Sequence, residues 1–192
     1  MMNHLMTRRR LTSVVQQCIM ADMNMVDSHS KRRENPPRRS FARKALAYDA
    51  IEPELIAKLR ELTQRVGALV ADARLRALIE VYVSQINACA YCVDLHTRDA
   101  LAHGESVQRL VGLAAWRESV LFDEREVAAL AWADALTLPS LLTTRDTIYA
   151  HLCSWFTQEE VVRLTMVIAL ANAWNRIAGG LGRQPNVIGH HP

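Results

Sequence analysis

Apolar residues recur at steps of three and four from about residue 51 onward, which is the spacing of one face of an α-helix. The first such stripe lies just behind Pro53, a residue that suits the first turn of a helix. Its members are Leu55, Leu59, Leu62, Val66 and Leu69. No segment alternates cleanly between apolar and polar residues, as a half-buried strand does. The pattern therefore predicts an all-α protein.

Local start and stop signals divide this region into about six to seven helices. Two pairs have the spacing of a capping box, in which an N-cap side chain and the residue three positions later bond each other's backbone. They are Asp123 with Glu126 and Thr157 with Glu160. Glycine and proline mark three expected helix ends: Gly104, Pro139 and Gly179-Gly180. These signals predict a helical bundle with short connections.

The first 44 residues differ in composition from the rest and predict a separate extension. They contain ten Arg or Lys and three acidic residues, a net charge of +7, whereas the rest of the 192 residues carries −4. Asn35-Pro36-Pro37 and the Arg clusters interrupt any apolar period. We therefore interpret residues 1–44 as a disordered basic extension of a domain at 45–192. A targeting sequence, or a basic arm for nucleic acid or anionic lipid, are alternative interpretations.

Two classes of partner are not expected for the domain. Nucleic acid is not, because the excess of basic charge lies in the extension. A membrane is not, because no run of about 18 apolar residues is free of charge.

A Cys-x-x-Cys pair, Cys89 and Cys92, is followed four residues later by His96. At roughly 100° per residue, the three positions fall within about 60° on a helix and face the same space. Near a helix start the dipole favours a thiolate, and an imidazole can share the thiol proton. A thiolate can be oxidised by a peroxide to sulfenic acid and then condense with the second thiol. The pair therefore predicts a redox role that needs an external dithiol and no bound cofactor.

Three other interpretations of the pair stay open. A zinc site could use both cysteines and His96, but such sites usually take a second pair of ligands from a separate element. His103 is expected to lie too far along the helix to share that ion, so we predict no metal. The pair could also be inert and buried, as we expect of Cys18 and Cys153. A structural disulfide is the third alternative, against which the expected cytoplasmic location argues.

Proton transfer at such a site also needs an acid, and Glu80 is the candidate. It lies nine residues before Cys89, among apolar neighbours. Burial there would raise its pKa toward neutrality and suit it to proton transfer. Exposure on the helix surface is the equally open alternative. Asp94 and Asp99 are expected to point away from the cysteines into solvent.

The segment SQINACAYCVDLHT, residues 84–97, resembles the core motif of alkylhydroperoxidase D-like proteins, which belong to the carboxymuconolactone decarboxylase superfamily. The resemblance extends to residues 113–119, 124–131 and 172–176, in the expected order, and covers about residues 45–185. It implies an all-α fold that assembles into trimers or hexamers. It also implies thiol-dependent reduction of hydroperoxides.

The resemblance also implies roles for individual residues. The second cysteine of the motif, Cys92, is the one oxidised to sulfenic acid, and the first, Cys89, resolves it to a disulfide. The motif histidine, His96, belongs to the proton relay. Members of the family draw electrons from lipoylated or thioredoxin-like partners.

The chain departs from the family pattern at two positions. The relay glutamate usually stands twelve residues before the first cysteine, where this chain has Ala77. Glu80, one turn later, lies on the same helix face and is the candidate replacement. Ala88 stands where relatives usually have glycine, and we expect it to affect only the fit of the backbone.

A thiol peroxidase is therefore the leading hypothesis. One alternative is a decarboxylase of the lactone type, although those members do not rely on a Cys-x-x-Cys pair. The other is a redox-sensing or assembly module without turnover. Four tryptophans are predicted to lie in the core or a subunit interface: Trp116, Trp132, Trp155 and Trp174. Four polar residues are candidates for contacts between subunits: Arg117, Glu118, Asn175 and Arg176.

Overall fold

The computed structural model describes residues 44–185, without the side chain of residue 142. Within this range it contains eight α-helices, two 3₁₀ segments and no strand, which confirms the predicted all-α fold. The α-helices are α1 (Tyr48–Ile51), α2 (Pro53–Leu69), α3 (Ala73–Ile86), α4 (Ala90–Ala102), α5 (Val107–Gly112), α6 (Glu124–Thr137), α7 (Arg145–Cys153) and α8 (Gln158–Gly180). The 3₁₀ segments are Leu113–Glu118 and Pro139–Thr144. The basic extension predicted for residues 1–44 lies outside the described residues, except for its last residue.

The helices begin where the local signals predict. Both capping boxes are present, at the starts of α6 and α8. The side chain of Asp72 accepts a hydrogen bond from the backbone N–H of Leu75 and caps α3. The four-residue helix α1 has no counterpart among the predicted helices. After α5, the chain continues into a 3₁₀ segment rather than into a longer α-helix.

Helix α3 lies at the centre of the bundle, in contact with α4, α6 and α8. Its residues 77–84 are all buried, which is typical of a helix surrounded by others on every side. The buried alanines of α6 are small and allow a close approach to α3: Ala128, Ala129, Ala133 and Ala135. Because α3 is held on all sides, the residues just after its end have a defined position.

The apolar stripe of α2 is only partly buried in this chain. Leu59 and Val66 pack against Val167 and Leu170 of α8. The other edge of the stripe is exposed, with 65% of Leu55, 42% of Leu62 and 56% of Leu69 accessible. We call these three residues the exposed leucine row.

Three of the four polar residues considered as subunit contacts have partners inside the chain. Arg117 forms an ion pair with the buried Asp134. Arg176 donates a hydrogen bond to Asn172 Oδ1 at 2.8 Å, and Asn175 is itself buried. These three side chains therefore stabilise the single chain.

The four tryptophans have different environments. Trp116 and Trp132 lie in the core as predicted, whereas 44% of Trp155 is exposed. Trp174 borders a cavity, which is described below. Within residues 44–185, no helix combines the length and the apolar character needed to cross a lipid bilayer.

Candidate dithiol site

The two cysteines lie at the junction between α3 and α4. Cys89 is the N-cap residue of α4, and its Sγ accepts a hydrogen bond from the backbone N–H of Cys92 at 3.3 Å. The two residues form a disulfide, with their Cα atoms 5.3 Å apart, and both are buried. The pair therefore lies in the first turn of a helix, where the dipole favours a thiolate once the disulfide is reduced.

The turn that precedes the cysteines is attached to α8 by a chain of amides. Asn87 donates to Asn172 Oδ1 at 2.9 Å and to Asn175 Oδ1 at 3.1 Å. Asn175 in turn donates to Ser84 Oγ at 3.2 Å, and Ser84 donates to the backbone carbonyl of Glu80 at 2.7 Å. Because these groups are largely buried and satisfy one another, they hold the end of α3 against α8.

A cavity of about 190 Å³ lies against Cys92, which we call the thiol cavity. Cys92 and His96 line it, whereas Cys89 is not among its lining residues. The rest of its wall comes from α1, α2, α4, α8 and the segment after α8: Tyr48, Arg60, Thr63, Gln64, Tyr91, Leu95, Trp174, Ala178 and Arg183. Trp174 Nε1 donates to Thr63 Oγ1 at 2.8 Å, which fixes the indole in this wall.

A second, more open cavity of about 700 Å³ adjoins the thiol cavity. Both are bordered by His96 and Leu95. The second cavity is also lined by Arg76, Glu80 and Asp99. The expectation that Asp99 points away into solvent is therefore wrong, because it lies one helical turn after His96 and on the same face. Asp94 is half-buried rather than free in solvent, and it pairs with Arg98.

Glu80 is buried and lies next to His96. Its side chain accepts a hydrogen bond from Arg76 Nη1 at 2.9 Å, and its Oε2 lies 3.8 Å from His96 Nδ1. Burial raises the pKa of Glu80 to about 7, and Arg76 opposes this rise. Burial also lowers the pKa of His96 to about 4. Near neutral pH the imidazole is therefore uncharged, and the carboxyl group is divided between its protonated and ionised forms.

Ala77 and Glu80 are both buried, but they contribute differently. Ala77 belongs to the main apolar core of the bundle. The position where the family resemblance implies a glutamate therefore serves packing in this chain. The acid nearest to His96 comes instead from Glu80, one turn closer to the cysteines.

The structure describes one of the two cysteines that lie outside the pair. Cys153 is free and exposed, so the expectation that it is buried is wrong. It is the last residue of α7, directly after the buried Leu152, and its side chain points away from the core that Leu152 joins. Cys18 lies outside the described residues. Among residues 44–185, no three His, Cys, Asp or Glu side chains are grouped closely enough to hold a metal ion.

Sequence reasoning did not identify several residues of the thiol cavity. Arg60 and Trp174 lie more than a hundred residues apart in the sequence and meet only because α2 and α8 pack together. Arg183 follows α8 in a segment without a motif. The one available signal was that Trp174 lies within the segment 172–176, which carries part of the family likeness.

Comparison with known proteins identifies a family and a relative of this chain. Residues 53–135 match the carboxymuconolactone decarboxylase family. The uncharacterized protein YdfG of Bacillus subtilis is 32% identical over 139 residues, which are 72% of this chain and 95% of YdfG.

Two solved structures are also similar. ATU0492 of Agrobacterium tumefaciens, a protein of unknown function suggested to be the antioxidant defence protein AhpD, is 34% identical, with a TM-score of 0.71. That alignment covers 74% of this chain and 98% of ATU0492. The debrominase Bmp8 has a similar fold at 19% identity, with a TM-score of 0.64 over 72% of this chain and 74% of Bmp8.

A helical bundle with a dithiol in the first turn of α4, directly after the central helix α3, defines a class of all-α protein. The chain belongs to the carboxymuconolactone decarboxylase superfamily, as an alkylhydroperoxidase D-like member. The debrominase above shows that a similar fold also occurs in an enzyme.

Proposed function

We propose that this protein is a thiol-dependent peroxidase in which Cys92 attacks a hydroperoxide. The observation that supports it is the unequal access of the two cysteines. Cys92 lines the thiol cavity together with His96, and Cys89 does not. A peroxide in this cavity would therefore meet the sulfur of Cys92 first.

The proposed cycle has three steps. The thiolate of Cys92 attacks the terminal peroxide oxygen, so an S–O bond forms, the O–O bond breaks, and the departing alkoxide takes up a proton and leaves as an alcohol. The thiol of Cys89 then attacks the sulfenic sulfur, which forms the disulfide and releases water. An external dithiol returns two electrons and two protons, and a lipoylated or thioredoxin-like protein is the class of donor that we propose.

His96 and Glu80 are suited to move the proton in this cycle. The uncharged imidazole can accept the thiol proton of Cys92, since both side chains border the same cavity. Glu80 lies 3.8 Å from the imidazole and has a pKa of about 7, so it can take up or release that proton near neutral pH. The 3.8 Å between Glu80 and His96 is longer than a hydrogen bond, but such distances at active sites often shorten when substrate binds.

One experiment tests the peroxidase proposal directly. Peroxide consumption is measured for the purified protein with dithiothreitol as reductant, for wild type, Cys92→Ser and Cys153→Ser. We expect Cys92→Ser to lose more than a hundredfold of the turnover. Cys153→Ser should retain it, because that exposed thiol lies outside the site. Equal turnover in wild type and Cys92→Ser would refute the proposal.

A redox switch without turnover is the second candidate function. The observation in its favour is that alanine occupies the position of the usual relay glutamate. This candidate predicts that the pair is oxidised and reduced while peroxide is not consumed catalytically. The alternative of a lactone-type decarboxylase predicts an activity that survives Cys92→Ser.

We also propose that copies of the chain associate into trimers or hexamers. The exposed leucine row supports this, because three large apolar side chains spaced seven residues apart lie on one face of α2. Burying such a row against a second copy would remove apolar surface from water, which favours association.

A further inference from the structure

The size, lining and charge of the thiol cavity indicate which class of substrate it can accept. We propose that it selects small organic hydroperoxides that bear a carboxylate, and that Arg60 binds the carboxylate at the mouth of the cavity. This inference rests on the proposed peroxidase function.

The size and lining of the cavity favour an organic group over hydrogen peroxide. An apolar protein cavity of about 150 Å³ is large enough to bind benzene, and the thiol cavity is about 190 Å³. Trp174, Tyr91 and Leu95 give it aromatic and aliphatic walls beside Cys92. A ring of six carbons with one short branch would fill this space, whereas hydrogen peroxide would leave most of it unfilled.

The charges around the cavity favour an anion. Among the described residues, no Asp or Glu lines it, while two arginines do. Arg183 is already engaged, since it donates to Asp49 Oδ2 at 2.8 Å and to the hydroxyl of Tyr48 at 2.9 Å. Its guanidinium also lies over the Tyr91 ring, 4.7 Å from the centroid.

Arg60 is the arginine that is free to bind a ligand. It has no hydrogen bond or ion pair with another residue of the described range. It is exposed, so it stands where the cavity meets solvent. A guanidinium binds a carboxylate through two parallel hydrogen bonds, which orients the ligand as well as holding it. A ligand held at Arg60 by its carboxylate can direct the opposite end toward Cys92.

The first test compares two substrates of nearly the same shape, cumene hydroperoxide and its para-carboxylated analogue, with dithiothreitol as reductant. We expect wild type to prefer the carboxylated substrate by about fivefold in kcat/KM, which is the upper end of what an exposed ion pair contributes. Arg60→Gln should reduce this ratio to about one. Arg65→Gln should keep it, because Arg65 lies on the same helix, pairs with Glu61 and does not line the cavity.

The second test measures binding without turnover. Calorimetry on the disulfide form compares 4-isopropylbenzoate with 4-isopropylbenzamide, which differ in charge. We expect about fivefold tighter binding of the carboxylate by wild type and Arg65→Gln, and no difference in Arg60→Gln.

The two tests separate the inference from the proposed function. A carboxylate preference in binding without peroxide turnover would refute the peroxidase proposal and leave the anion site standing. Turnover with equal ratios in wild type and Arg60→Gln would overturn the anion site and leave the peroxidase proposal standing.

Discussion

Glu80 is buried within α3 and also lies next to His96, where it can exchange a proton. Its neighbours in sequence are apolar, and α3 buries it with them. Arg76 donates a hydrogen bond to it, so the buried carboxyl is not left without a partner. The cost of burial nevertheless raises its pKa to about 7, which is the range in which proton exchange at neutral pH is most effective.

The pH dependence of the reaction should reveal this carboxyl. The ionised form accepts protons, and it forms as the pH rises through about 7. We therefore expect kcat/KM for peroxide to increase with pH across this range. Glu80→Gln should lose both this increase and about a hundredfold of the activity. The check is a pH–rate profile from pH 5 to 9.

Glu61→Gln serves as the control for that profile, because Glu61 is exposed and pairs with Arg65 away from the cysteines. It should keep the wild-type curve. An unchanged rise in Glu80→Gln would mean that another group carries the proton.

At the scale of secondary structure elements, the connection between α3 and α4 decides where the cysteines lie. The first residue of this connection, Asn87, is held by its hydrogen bonds to Asn172 and Asn175 of α8. Ala88 then adopts a φ of +52°, in the left-handed region that an L-residue with a Cβ rarely occupies. This turn lets α4 begin directly at Ala90 with Cys89 as its cap. A glycine, which the family resemblance implies at this position, would adopt the same backbone without the steric cost.

Replacing this alanine should therefore stabilise the fold. We expect Ala88→Gly to increase the free energy of unfolding by about 0.5–1 kcal/mol, since glycine relieves the left-handed backbone. Denaturant unfolding measures the change.

Ala57→Gly, on the exposed face within α2, is the matched control and should lower the free energy of unfolding by about 0.5–1 kcal/mol. Destabilisation of similar size at both positions would contradict the assignment of strain to Ala88.

At the scale of the whole molecule, the site is assembled from distant parts of the chain. The cysteines come from the junction of α3 and α4, Arg60 from α2, and Trp174 from α8. The exposed leucine row lies on α2 as well, seven residues apart at Leu55, Leu62 and Leu69. An assembly that used this row would also restrain the helix that carries Arg60.

Whether the exposed leucine row is an interface between copies can be tested by measuring the mass of the protein in solution. We expect the protein to be larger than a monomer by light scattering, and Leu62→Glu to shift it toward the monomer, because a buried carboxylate would oppose association. Circular dichroism should show unchanged helix content in the variant.

Val120→Glu is the control, since Val120 is 98% exposed in a connecting segment. Its assembly should match that of wild type. A monomeric wild-type protein, or no effect of Leu62→Glu, would exclude the row as an interface.

Much of this protein could be predicted from its sequence, because the decisive signals act over one helical turn. A cap such as Asp123 bonds a backbone group three residues away, so it marks a helix start wherever the helix lies. The spacing of Cys89 and Cys92 likewise specifies a pair that can form a disulfide. The fold class, the location of the dithiol and most helix positions, though not that of α1, therefore followed from short stretches of the chain.

The tertiary structure alone decided which of these residues are buried and what surrounds them. The burial of Glu80, the exposure of Cys153 and the half-covered stripe of α2 depend on which helices pack alongside. The meeting of Arg60 with Trp174 likewise depends on the contact between α2 and α8. These properties arise between residues far apart in the sequence, because burial and desolvation are set by all neighbours in space rather than by those along the chain.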